Sequence, residues 1–168
     1  MEIFWAEITE GLPDRAQLAH VVIRMIAAVI LGAIVGFERE KAGKEAGLRT
    51  HILVSMGTAL FVIAAAASGM SSDGVSRVIQ GLTAGIGFIG AGAILKLTTE
   101  REIQGLTTAA GIWMTAAIGV SVGLGLLGLA LIATVLTFIV LGVLGKIDAG
   151  IETKNIATTK AEETKKAG

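Results

Sequence analysis

The sequence predicts an all-α fold: a polytopic transmembrane helix bundle of about five spans, with the N-terminus outside and the C-terminus cytoplasmic. Three observations carry this. The 168 residues are 53% hydrophobic with a mean hydropathy of +0.76. Only 17% are charged, against about 25% in soluble domains. Apolar stretches recur along the whole chain, each near the roughly 20 residues that cross a bilayer.

Residues 1–17 read as an extracytoplasmic segment. A secretory signal opens with positive charge, whereas Glu2, Glu7, Glu10 and Asp14 come first here. Ile3, Phe4 and Trp5 suit the headgroup region. Pro13-Asp14, with Gln17 three positions on, marks a helix start.

The transmembrane domain is expected over 18–145. Span one covers Leu18–Phe37 and holds Arg24, which must face the interior or snorkel to an interface. Gly32-x-x-x-Gly36 offers a close helix contact. Span two covers Ile52–Met70. Span three, Val75–Leu95, has Arg77 and Gln80 near its start, then Gly85, Gly87, Gly90 and Gly92. The Gly85-x-Gly87-x-x-Gly90 spacing matches a dinucleotide fingerprint, but that motif needs a strand and a helix opening in water. Inside a span, such glycines serve close packing or a helix break that lines a cavity. Spans four and five are expected over Gly105–Val122 and Leu124–Leu144, and 146–168 forms a short cytoplasmic tail.

Five spans collect Arg39, Lys41, Lys44, Arg49, Lys96, Arg101 and the tail lysines on one side, leaving Arg15 and Arg77 on the other. The positive-inside rule makes the first side cytoplasmic. Two charged loops then share that side. Glu38-Arg39-Glu40 precedes Gly47-Leu48-Arg49-Thr50-His51. Glu100-Arg101-Glu102 precedes Gly105-Leu106-Thr107-Thr108. The likeness reads as a parallel repeat, the first loop being longer by four residues. The expected functional cluster is Glu38, Arg39, Glu40, Arg49, Thr50, His51, Glu102, Thr107 and Thr108, with Glu38 paired to the fork of Arg49.

Several functions are disfavoured. The chain has no cysteine, hence no thiolate chemistry or disulfides. Zero net charge argues against nucleic acid. No nucleophile–base constellation is visible, so no catalytic residue is assigned. The spans offer no buried carboxylate for a magnesium path, so no metal ligand or cofactor is expected.

These motifs together resemble the MgtC/SapB family. The matching residues are Gly32-x-x-x-Gly36-Phe-Glu38-Arg39-Glu40, Ala46-Gly47-Leu48-Arg49-Thr50-His51, Gly85-Ile-Gly87-Phe-Ile-Gly90-Ala-Gly92, and Gly105-Leu-Thr-Thr-Ala-Ala with Trp113. Arg24, Arg77 and Gln80 fall where the family tends to carry them. The resemblance implies a multi-pass protein of the bacterial inner membrane, linked to low-magnesium adaptation and virulence. It implies a regulator working through other membrane proteins, the F-type ATP synthase being one candidate, with a homo-oligomer as an option. The alternative is a transporter or channel for magnesium or another small solute. Longer members add a cytoplasmic ACT-like domain, and the tail after Lys146 is too short for one.

Overall fold

A computed structural model describes residue 1, residues 14–96 and residues 103–145. Five helices form a bundle: α1 (Arg15–Lys41), α2 (Leu48–Ala67), α3 (Ser72–Gly92), α4 (Leu106–Gly123) and α5 (Leu127–Ile139). A short antiparallel ladder of β1 (Leu95–Lys96) and β2 (Ile103–Gln104) precedes α4. The helix of α5 runs on into a π-helical turn, Val140–Leu144. Among the described residues, four helices are long and apolar enough to cross a membrane: α1, α2, α4, and α5 with its π turn. α3 has the length but not the hydropathy, because serine, glycine, Asp73, Arg77 and Gln80 dilute its apolar content. The chain is a multi-pass membrane protein.

Each boundary has a local cause. Asp14 caps α1, its Oδ1 accepting from the Gln17 amide at 2.8 Å, as the start signal predicts. The turn between α2 and α3 uses Gly69 at φ +75°. Gly105 stands before α4 at φ +91°, and a Cβ there would collide with the Ala93 carbonyl. Only glycine meets both demands.

α2 is the packing centre. It runs antiparallel to α1 and parallel to α4. Gly32 and Gly36 of α1 lie against its backbone: a Cβ on Gly36 would sit 2.8 Å from Leu48 Cα, and one on Gly32 would sit 2.8 Å from the His51 carbonyl oxygen. On the other side, Gly119 lies against Ser55 and Thr58, and a Cβ on Gly123 would stand 2.7 Å from Val62 Cβ. Ala28, Val35, Ala59, Ile118, Val122 and Ala130 fill the core around these contacts. Helices pressed this close share no driving force from water inside a bilayer, so van der Waals contact must hold them.

The glycines of span three behave differently from the sequence expectation. α3 is an unbroken helix, so no backbone is freed to line a cavity. Among the described residues, Gly85, Gly87 and Gly92 have nothing within 4 Å of a built Cβ, and of these four glycines only Gly90 is buried, in ordinary contact with Ala109. α3 packs on α4 through the other side, by Ile86 and Gly90.

Thermal unfolding in detergent should separate the two kinds of glycine. Gly36→Ala forces a methyl into the Leu48 backbone and should cost about 1–3 kcal/mol. Gly87→Ala adds a methyl to open space and should hold or raise stability by up to about 1 kcal/mol. Equal destabilisation by both would contradict the packing described.

Candidate functional site

The charged end of the bundle is built on the last two turns of α1. Glu38 and Arg39 are adjacent, and side chains one apart on a helix do not ordinarily face each other. Here both turn toward α5. Arg39 Nε donates to Glu38 Oε2, and Arg39 Nη2 donates to Glu38 Oε1 at 2.7 Å. The same guanidinium donates to the Leu141 carbonyl at 2.8 Å. The Arg39 side chain is 3% exposed and that of Glu38 13%. Glu38 also lies against Gly142, where a Cβ would be 3.7 Å from its Cγ. The pair therefore clamps α1 to the π turn that extends α5. Turns of this kind gather at functional sites in helices.

This corrects the expected Glu38–Arg49 pair. Arg49 is exposed on the first turn of α2, with no side-chain hydrogen bond to the described residues, and Thr50 is half-buried. The carboxylate that reaches α2 is Glu40: its Oε2 accepts from the Leu48 amide at 2.9 Å. An anion at a helix start satisfies a free amide and complements the helix dipole.

His51 sits one turn deeper and is fully buried. Its Nδ1 lies 2.7 Å from Thr115 Oγ1, and Thr115 Oγ1 also lies 2.9 Å from the Gly111 carbonyl. Gly36 from α1 and Gly111 from α4 flank the residue. His51 Nε2 and Ser55 Oγ, one turn apart on α2, are buried without a hydrogen-bond partner among the described residues.

Thr107 is exposed and Thr108 is 5% exposed. Both line a cleft of about 440 Å³ between the α1–α2 loop and the start of α4, with Gly43, Lys44, Glu45 and Gln104. The two glycine-led helix starts thus lie at one end of the bundle. Glu102 falls outside the described residues, as do Glu100 and Arg101.

Arg24 does not snorkel away from the bundle. It donates from Nη1 to the Gly123 carbonyl at 2.9 Å, at the C-terminal end of α4. Its guanidinium lies against Gly125, whose φ of +82° closes the α4–α5 turn. A cation at that terminus satisfies a free carbonyl and the dipole together. Arg77 and Gln80 are exposed on α3, and Gln80 lines a second cleft of about 560 Å³ with Ser76, Thr83 and Leu124. No group of three His, Cys, Asp or Glu able to hold a metal occurs among the described residues.

Sequence reasoning overlooked Ser55, Thr115 and the Leu141 carbonyl. One signal was present: Gly111, Thr115, Gly119 and Gly123 recur every four residues, a small-residue ridge on α4.

With the geometry established, comparison with known proteins is direct. The MgtC family model matches residues 25–149. The chain belongs to the MgtC family. Protein SrpB of Synechococcus elongatus is 45% identical over 129 residues, covering 70% of this chain and 71% of that protein. The putative magnesium transporter YhiD of Escherichia coli is 44% identical over 144 residues, covering 82% of this chain and 66% of YhiD. Protein MgtC of Salmonella typhimurium is 38% identical over 125 residues, covering 74% of this chain and 52% of MgtC. The chain thus spans about half to seven-tenths of the length of these relatives. No solved structure matches it. The matched region holds the whole clamp, from Glu38 and Arg39 to Leu141.

The clamp gives a graded mutational series. Arg39→Gln leaves Glu38 half-buried without its cation and should cost about 3–5 kcal/mol. Arg49→Gln and Lys41→Gln, both at exposed side chains, should cost about 0–1 kcal/mol. Chemical unfolding in mixed micelles measures all three, and an Arg49 variant as damaging as the Arg39 one would contradict the assignment.

Proposed function

We propose that this chain is a regulatory or accessory protein of the bacterial inner membrane, acting by contact with other membrane proteins. The observation that carries this reading is the closed seam at the centre of the bundle. Gly32 and Gly36 on one side and Gly119 and Gly123 on the other bring backbone against backbone, which leaves little room for a solute path along α2. Both carboxylates at that end of α1 are already engaged: Glu38 is neutralised by Arg39, and Glu40 accepts from the Leu48 amide. Magnesium keeps several waters and prefers carboxylate ligands, and a committed, partly buried carboxylate suits structure better than ion transfer.

The contact surface in this reading is the charged end, cytoplasmic by the positive-inside rule. Lys44 and Thr107 are exposed there and line the 440 Å³ cleft, and Arg49 is exposed at the start of α2. Rim charges of this kind steer encounters and select partners. The F-type ATP synthase is one partner to test, as is the tie to low-magnesium growth and virulence. The name of the E. coli relative, a putative magnesium transporter, favours a second reading: transport of magnesium or another small ion.

Purified protein in proteoliposomes separates the two. The regulatory reading expects neither magnesium nor proton flux above that of empty vesicles. It also expects a photoreactive side chain at position 107 to trap a discrete membrane protein in native membranes, and that adduct to weaken in Arg49→Ala. Saturable flux that Arg39→Gln abolishes would overturn this reading in favour of transport.

A further inference from the structure

The outward face of α3 differs from those of α1 and α5. α1 presents Val22, Ile23, Ile26, Ile30, Ile34 and Phe37, and α5 presents a similar run of bulky aliphatics. Such surfaces suit lipid tails. The exposed strip of α3 instead runs Arg77, Gly81, Ala84, Gly85, Phe88 and Gly92, positions that share one side of a helix at 3.6 residues per turn. Among the described residues, nothing lies within 4 Å of a Cβ built on Gly81, Gly85 or Gly92. Where helix-interior glycines are covered elsewhere in this chain, at Gly32, Gly36, Gly119 and Gly123, a neighbouring helix presses against each. α3 has the glycines without a neighbour among the described residues.

Two further observations say what the neighbour is. Phe88 is 84% exposed, the most exposed large apolar side chain in any described helix. It projects between Gly85 and Gly92, so knob and hole occupy the same strip and the surface is self-complementary. Asp73 and Arg77 are both exposed at one end of that strip, four apart, and neither forms a salt bridge among the described residues. Two copies inserted in the same sense, related by a two-fold axis along the membrane normal, place α3 parallel to α3. Each Asp73 then stands about one turn from Arg77 of the other copy, giving two reciprocal charge pairs.

We propose that the chain forms a homodimer through the Gly81–Gly92 strip of α3, with Phe88 of each copy seated in the glycine groove of the other. This goes beyond the regulatory reading and holds whether or not the charged end binds another protein. The dimer would also cover the one helix whose hydropathy falls short of a lipid-exposed span, and close helix pairing over small residues is how membrane helices associate.

Because the chain has no cysteine, single cysteines report contacts cleanly. Full-length protein in liposomes at high dilution is the system. Ala84→Cys should form a disulfide-linked dimer on mild oxidation, and Ile30→Cys on the lipid-facing side of α1 should not. Gly85→Leu should lower the dimer association constant at least tenfold in single-molecule photobleaching. The groove is open in the single chain, so its thermal unfolding should stay normal. Asp73→Arg should weaken the dimer, and adding Arg77→Asp should restore it. Monomers in photobleaching, or equal cross-linking at positions 30 and 84, would each overturn the homodimer. The cross-linking arm decides the matter even if a leucine variant fails to fold.

Discussion

Everything in this bundle depends on how closely α2 can approach its neighbours. Four glycines set that distance, two on α1 and two on α4, and each meets α2 at backbone or Cβ range. Inside a bilayer the hydrophobic effect does not separate a helix–helix contact from a helix–lipid contact, so the advantage must come from contact area and polar satisfaction. The close approach supplies the first. It also buries Ser55, Thr58 and Thr115 along the α2–α4 seam, where the two threonine hydroxyls bond back to carbonyls of their own helices.

Three charges of α1 that reach other helices follow one logic. Arg24 serves the C-terminal carbonyl at Gly123, Arg39 serves the carbonyl of Leu141, and Glu40 serves the amide of Leu48. Each ties its own helix, α1, to a terminus or end turn of another helix. Unsatisfied backbone groups are expensive away from water, and α1 carries the side chains that cover them. The charge-dense end of α1 is therefore a structural fastening first. Arg49, Lys44 and Thr107 at the same end of the bundle are exposed.

The sequence made the bundle legible because hydropathy and span length are nearly sufficient for it, and Gly32-x-x-x-Gly36 stood out by spacing. The same spacing at Gly119 and Gly123 passed unnoticed in a run of small residues. The partner of Glu38 was not legible: Arg39 is adjacent in sequence, and adjacency on a helix normally separates side chains, so Arg49 looked the better fork. The Leu141 carbonyl leaves no mark in a sequence at all, because any residue supplies one. The glycines of α3 announced a close contact without saying what makes it, and none of the described residues covers Gly81, Gly85 or Gly92. The β1–β2 ladder was read as loop, since two residues per strand show no alternation.

The distance between α2 and its neighbours α1 and α4 decides whether the seam is closed. Carbon–carbon correlation by solid-state NMR, on labelled protein in lipid bilayers, reads that directly. The structure predicts a strong cross-peak between Gly119 Cα and the Ser55 carbonyl carbon, with a matching one between Gly36 Cα and His51 Cβ. Absence of both, in a spectrum where intrahelical glycine contacts are resolved, would mean that the helices stand apart and that the closed seam does not exist.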